Sequence, residues 1–234
     1  MLKPFLKSCK AFLLDILYPN RCPFCNEIIM WNETVCGSCA DKLVPANDKI
    51  CHKCGGVPCV CSKNNNFDNV YAAMFFDDEN VSSAIYDFKC TGMSNLAEYT
   101  AETVCKYIDK ADLVTGVPMG KRKLRDRGHN QADILAKCIG ERLDIQFGKN
   151  LLYKIDSDEE QHHLSEEERA ERVKDLFHGS DADLNGKTII LCDDVMTTGS
   201  TVNRCAGLLK EMGAEKVIVC VSAVTRLDKS QRKG

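Results

Sequence analysis

The chain has no stretch near the roughly 18 uninterrupted apolar residues that a spanning helix needs, so a transmembrane protein is not expected. It also has no excess of positive charge. Its 31 Lys and Arg stand against 34 Asp and Glu, a net charge of −3, which excludes a uniformly basic nucleic-acid coat but leaves room for a local basic patch. A secretory signal is not expected either. Lys3, Lys7 and Lys10 precede Ala11-Phe12-Leu13-Leu14, yet Asp15 interrupts the apolar run and Tyr18-Pro19-Asn20-Arg21 offers no small-residue cleavage site. The expected compartment is therefore the cytoplasm, where thiols stay reduced. Leu2, Phe5, Leu6, Leu13, Leu14 and Leu17 instead suit one stripe of an amphipathic helix over residues 1–20. Such a helix either docks on the rest of the chain or lies on the inner face of a membrane.

Cysteine is in excess. Eight of the 15 fall between Cys22 and Cys61, in a chain whose 44% hydrophobic and 28% charged residues are otherwise ordinary for a globular protein. They come as Cys22-x-x-Cys25, Cys36-x-x-Cys39, Cys51-x-x-Cys54 and Cys59-x-Cys61. A Cys-x-x-Cys turn points two sulfurs inward, and two such turns complete a tetrahedral zinc site. Two four-thiolate sites are expected, one from Cys22, Cys25, Cys36 and Cys39, the other from Cys51, Cys54, Cys59 and Cys61. The tighter Cys59-Val60-Cys61 pair makes the second a looser fit, so one or two structural zinc ions are anticipated. Cross-braced pairing stays open, because spacing does not set connectivity. Asn26, Gly37 and Gly55 stand where a knuckle favours a residue tolerant of positive φ. Four thiolates leave no open position for water, so the metal is expected to hold the fold rather than catalyse. The seven other cysteines, Cys9, Cys90, Cys105, Cys138, Cys192, Cys205 and Cys220, read as small buried apolar residues.

Polar Ser62-Lys63-Asn64-Asn65-Asn66 marks a linker, which divides the chain into a cysteine-rich module over 21–62, a link over 63–69 and a larger domain over 70–234. Strands are expected at Val70–Phe76, Asp112–Val117, Thr188–Cys192 and Lys216–Val221, and helices at Val81–Cys90, Ala97–Ile108, Gln131–Leu143 and Val202–Met212. Strands alternating with helices predict an α/β fold around a parallel sheet covered on both faces. Ligands of such sheets bind beyond the carboxyl ends of the strands.

The apolar run Ile189-Ile190-Leu191-Cys192 ends in Asp193-Asp194, then Val195-Met196 and the hydroxyl-rich loop Thr197-Thr198-Gly199-Ser200-Thr201. Paired carboxylates accept hydrogen bonds from neighbouring sugar hydroxyls, and a hydroxyl-rich loop opening a helix presents N–H groups to phosphate. Together they describe a ribose 5-phosphate pocket. No Gly-Lys-Ser/Thr follows a glycine-rich turn, so this is not a Walker loop.

This run resembles the phosphoribosyl pyrophosphate motif of the type I phosphoribosyltransferases, in which the two acids bind the ribose hydroxyls and the loop wraps the 5-phosphate. Val117-Pro118-Met119-Gly120-Lys121-Arg122 is similar to that family's pyrophosphate loop. Arg125-Asp126-Arg127-Gly128-His129-Asn130-Gln131 resembles the Arg-Gly-Phe-Asn-Gln run of the ComF competence proteins, and Gln161, Leu164, Ser165 and Arg169 match the spacing of their mobile segment over the site. A cysteine ribbon ahead of such a domain is also the ComF layout. His129 stands where that pattern has Phe, and Arg172 where it usually has Asn.

The resemblance implies a parallel sheet of the type I phosphoribosyltransferase kind behind a small zinc ribbon. It further implies binding of phosphoribosyl pyrophosphate with magnesium and, if the domain is active, pentosyl transfer with release of pyrophosphate. Asp193 and Asp194 would then orient the ribose while Lys121 and Arg122 stabilise the leaving group. Pro118, Met119, Gly120, Val195, Met196, Thr197, Thr198, Gly199, Ser200, Thr201, Gln161 and Arg169 would line the substrate. A role in DNA uptake during natural competence is implied too, with single-stranded DNA and the uptake machinery as partners. Lys121, Arg122, Lys123, Arg125 and Arg127 against the lone Asp126 suit a polyanion, either pyrophosphate or a DNA backbone, for which Lys123, Arg125 and Arg127 are the candidates. Trp31, Phe24 and Lys53 are too few to make a base-stacking surface on the ribbon. No segment reads as a base pocket, so catalysis, DNA handling and sensing of the sugar phosphate all remain open. Residues 156–168, acidic and free of Lys and Arg, read as exposed and mobile, with His162 and His163 solvated.

Overall fold

The computed structural model describes residues 19–59, 61, 65–156 and 176–226. Within them the chain forms α1 (Gly37–Ala40), β1 (Asn69–Phe75), α2 (Glu79–Thr91), α3 (Asn95–Val104), β2 (Leu113–Gly116), α4 (Lys121–Arg127) and α5 (Gln131–Leu143). These are followed by β3 (Gln146–Phe147), β4 (Leu152–Lys154), β5 (Phe177–Gly179), β6 (Thr188–Met196), α6 (Ser200–Glu211) and β7 (Lys216–Val224). Five strands make one parallel sheet in the order β1-β7-β6-β2-β3, and β4 pairs antiparallel with β5.

Successive side chains of a strand point to opposite faces, so an unbroken apolar run calls for apolar cover on both. Ile189 and Leu191 of β6 pack in one core with Val202, Ala206 and Leu209 of α6. Ile190 and Cys192 pack in a second core built from Val81, Ile85 and Phe88 of α2, Leu96 and Val104 of α3, and Leu135 and Ile139 of α5. Local chemistry sets the helix limits. The Asp78 side chain accepts from the N–H groups of Asn80 and Val81 to open α2, and Gly92 closes it at φ 67°.

Several boundaries differ from the sequence reading. The helix expected over Ala97–Ile108 stops at Val104 and tightens into a 3-10 turn, Cys105–Tyr107. β6 and β7 run three to four residues further than expected, because Asp193, Val195 and Met196 pair with Val221, Ala223 and Val224. Cys90 is exposed rather than buried, at the solvent side of α2, and Cys105 and Cys138 are half-buried, while Cys192, Cys205 and Cys220 are buried as read; Cys9 lies outside the described residues.

The cysteine-rich segment has little core of its own: Cys22, Ile29 and Cys36, with Phe24, Val35 and Cys39 packed alongside. It leans on the larger domain instead. Phe24 meets Tyr99 of α3 edge to face, with ring centres 5.7 Å apart. Residues 46–52 run along the outer edge of β1: Ala46 N–H donates to Ala73 O, Ala72 N–H to Asn47 Oδ1, and Val70 N–H to His52 O. This strap pairs an edge that would otherwise template foreign strands.

Candidate functional site

β2 ends at Gly116, opposite Cys192, and the Val117 N–H still donates to Cys192 O at 2.8 Å. Beyond that point the two neighbouring strands part. β6 continues against β7 alone, and the loop after β2 turns away, which opens a crevice at the carboxyl ends of the strands. The crevice has a volume of about 300 Å³. Asp193, Asp194, Pro118, Met119, Gly120 and Thr201 line it.

The acidic pair is tightly held. Asp193 Oδ1 accepts the Asp194 N–H at 2.9 Å, and Asp194 Oδ1 accepts the Val195 N–H at 2.8 Å. Loss of water around Asp193, and then the charge of Asp194 beside it, raise the Asp193 carboxyl well above the ordinary carboxylate range. Four cationic side chains line the same crevice, Lys89, Lys123, Arg127 and Lys154, and Lys89 pairs with Asp194 at 2.9 Å. Of the residues expected here, Lys123 and Arg127 of α4 face the crevice, while Lys121, Arg122 and Arg125 are exposed and do not line it. The basic stretch is a helix, so its residues fall on different sides.

The loop after β6 is also divided. Thr198 and Ser200 share a hydroxyl hydrogen bond of 2.9 Å at the start of α6, whose first turn has no side-chain cap. Met196, expected at the substrate, is buried in the core, and Val195 packs against the second core. Gln161, Arg169 and Arg172, with His162, His163 and the rest of the acidic run after Asp156, lie outside the described residues.

Asp156 itself contributes an unexpected contact. Its Oδ2 accepts the Arg122 N–H at 2.9 Å, so the first residue of the acidic run is pinned against the loop. Gly120 makes the approach feasible: a Cβ there would sit 2.0 Å from Asp156 Oδ1. The Asn130-Gln131 pair is explained by the same neighbourhood. Asn130 caps α5 through the Ala132 N–H and donates to Val117 O at 3.0 Å, which anchors the start of the loop. Gln131, buried, donates to Lys89 O at 3.1 Å and accepts from Arg127 at 3.3 Å. Lys89, Lys154, Phe177 and Leu176 also line the crevice, and nothing local in the sequence marks them.

The thiols gather in the two expected sets, in sequential rather than cross-braced pairing. Ligand sulfurs of Cys22, Cys25, Cys36 and Cys39 lie within 4.8 Å of one another, as do those of Cys51, Cys54, Cys59 and Cys61. Four sulfurs at about 2.3 Å from zinc stand about 3.8 Å apart. The contacts Cys25–Cys36 at 3.6 Å and Cys54–Cys59 at 4.0 Å are close to that spacing, while Cys51–Cys61 at 3.3 Å and Cys59–Cys61 at 3.0 Å are tighter, in keeping with the single residue between Cys59 and Cys61. Asn26 at φ 61° and Gly55 at φ 72° adopt the left-handed backbone expected of a knuckle; Gly37 instead begins α1. Both sets are structural zinc-binding sites.

The profile described as double zinc ribbon domain matches residues 13–66, and that described as phosphoribosyl transferase domain matches residues 132–234, which include the acidic pair and its loop. The chain is a double zinc ribbon joined to a phosphoribosyltransferase domain. Its homologues include competence and DNA utilization proteins by name. The DNA utilization protein YhgH of Salmonella typhi is 26% identical over 219 residues, 86% of this chain and 95% of that protein. Competence protein ComFC of Bacillus subtilis is 24% identical over 201 residues, 78% of this chain and 80% of that protein. Competence protein F of Haemophilus influenzae is 32% identical over 110 residues, 46% of this chain and 48% of that protein. Among the described residues no helix is long and apolar enough to cross a membrane.

Proposed function

We propose that the crevice binds phosphoribosyl pyrophosphate, and that this binding supports DNA uptake in natural competence. The observation that carries the reading is the acidic pair at the carboxyl end of β6, paired with Lys89 in a crevice that Lys123, Arg127 and Lys154 also line. Two carboxylates suit vicinal ribose hydroxyls, and Lys123, Arg127 and Lys154 suit a ligand carrying a phosphate and a pyrophosphate. In this reading Thr201 and the first turn of α6 take the 5-phosphate. Pro118–Gly120 flank the pyrophosphate, with Lys123 and Arg127 nearer to it than Lys121 and Arg122. Asp156 shares the loop, so the pyrophosphate displaces it or meets it at the Arg122 N–H. Magnesium chelated by the sugar phosphate would neutralise part of its charge, and the oxygens of Asp193 and Asp194 are the hard donors such an ion accepts through water.

Where a nitrogen nucleophile is available, the same arrangement suits transfer. The bond from the anomeric carbon to the pyrophosphate oxygen breaks, and the nitrogen bonds to that carbon and gives up its proton to solvent. Lys123 and Arg127 would stabilise the departing charge, and Asp193 and Asp194 the positive charge gathering on the sugar. Release of pyrophosphate from phosphoribosyl pyrophosphate in the presence of candidate bases separates transfer from binding alone. Turnover with one base identifies the acceptor; tight binding without turnover assigns a sensing role.

A second reading, contact with single-stranded DNA, is favoured by α4. It carries Lys121, Arg122 and Arg125 on its exposed side, next to the crevice, in a chain whose homologues include DNA utilization proteins. DNA held there should bind with strong salt dependence and compete with phosphoribosyl pyrophosphate through the shared Lys123 and Arg127. Equal DNA affinity with the sugar phosphate saturating would place DNA elsewhere, with the ribbon as the next surface to test.

A further inference from the structure

We infer that Lys89 is a positioning residue of the crevice: its ammonium holds Asp194 in the orientation from which the acidic pair meets the ribose hydroxyls. The inference deepens the functional reading above and rests on it.

Lys89 comes from the last turn of α2, far in sequence from the other crevice residues, and its Nζ lies 2.9 Å from Asp194 Oδ2. The other Asp194 oxygen already accepts the Val195 N–H, so both oxygens of this carboxylate are held. Among the described residues, Lys89 makes the ion pair that reaches the acidic pair, although Lys123, Arg127 and Lys154 line the same crevice.

The lysine is itself held in place from behind. Gln131 binds the Lys89 carbonyl, and the His129 ring packs where a Cβ on Gly92 would come within 2.9 Å of it. His129 Nε2 also lies 3.4 Å from Phe88 O. The Gly128-His129-Asn130-Gln131 corner therefore fastens the end of α2 to the crevice, with the His129 ring packed against Gly92.

Electrostatics gives this pin a purpose. Two adjacent carboxylates repel each other, and a cation on Asp194 offsets that repulsion while Asp193 loses its water. A half-buried ion pair adds little to stability by itself, so its effect should appear in ligand geometry. Lys89 is 30% exposed at its side chain and Asp194 18%, open enough to meet a ligand but not free to wander.

The test compares ligands that do and do not use the ribose hydroxyls. Affinities for ribose 5-phosphate, 2-deoxyribose 5-phosphate and inorganic pyrophosphate are measured by calorimetry on the zinc-loaded full chain, for wild type, Lys89→Met and Lys89→Arg. Lys89→Met should weaken ribose 5-phosphate about tenfold, the size of a typical direct coupling, and remove most of the preference over the 2-deoxy sugar. It should leave pyrophosphate within about twofold, and Lys89→Arg should restore part of the preference. Should Lys89→Met not fold, Lys89→Gln takes its place with the same readout. Parallel loss of pyrophosphate affinity would make Lys89 a phosphate ligand and overturn the positioning role. Full retention of the sugar preference in the variant would overturn it as well. A wild type that does not prefer the ribose sugar would instead reject the functional reading itself.

Discussion

The ribbon and the phosphoribosyltransferase domain reach order by opposite routes. The domain packs two extensive apolar cores against the faces of its sheet. The ribbon has a cluster around Cys22, Ile29 and Cys36, and beyond that its thiolates and the edge of β1. A segment of that length buries too little apolar surface to stand alone, so metal and docking substitute for a core. The difference teaches where each part can tolerate change. The domain can afford a costly acidic pair because its cores carry the fold, whereas the ribbon has nothing spare.

Removing zinc should separate the two most strongly. Cys22→Ser or Cys36→Ser, or a chelator, should unfold the first ribbon site, since a structural zinc contributes on the order of 10 kcal/mol. Hydrogen exchange should then show ribbon amides unprotected and β6 and β7 amides unchanged. An ordered ribbon without metal would break the comparison. The strap is the next test. Asn47→Ala removes the acceptor of the Ala72 N–H and leaves a buried donor unpaired, which costs about 1–3 kcal/mol. Exchange of the β1 amides should accelerate while zinc content stays the same; an unchanged β1 would show that the strap is incidental to the sheet.

The smallest expected effect is a gain. The Asp193 carboxyl is raised in the folded chain, so the folded state holds its proton more tightly than the unfolded chain does. Ionisation therefore costs stability once pH rises above the ordinary carboxylate pKa of about 3.9. Asp193→Asn should raise the stability of the domain by on the order of 1 kcal/mol at neutral pH, and the gain should vanish toward pH 4 and below. Thermal unfolding across that range reads it directly, and a stability loss at neutral pH would refute the assignment of a strained acid.

Much of this contrast is legible in the sequence, for identifiable reasons. Cysteine spacing and alternating apolar runs are local signals, so the zinc sets and the parallel sheet are readable, and so is the acidic pair at a strand end. The pairing of the two cysteine sets needed the geometry. The expected strand stops at Cys192 because the polar pair Asp193-Asp194 follows, yet β7 extends beside Asp193–Met196 and keeps it in the sheet. Helical phase divides Lys121–Arg127 into crevice-facing and exposed residues, which a count of charges does not show. Lys89 and Lys154 lie on an unremarkable helix and a short strand, and only the tertiary fold brings them to Asp194 and its crevice. Cys90 is exposed because it sits on the solvent side of an amphipathic helix, where residue type alone misleads.

The central claim is that the acidic pair of β6 holds the ribose of phosphoribosyl pyrophosphate. Calorimetric titration of the zinc-loaded full chain with phosphoribosyl pyrophosphate and magnesium tests it directly, comparing wild type with the Asp193→Asn, Asp194→Asn double variant. Both substitutions keep side-chain volume, remove the charge and replace one acceptor oxygen with an N–H donor. The account predicts one site per chain in the wild type, and at least a hundredfold weaker binding, or none, in a variant that keeps its fold and zinc. Equal affinity in the two proteins would contradict it.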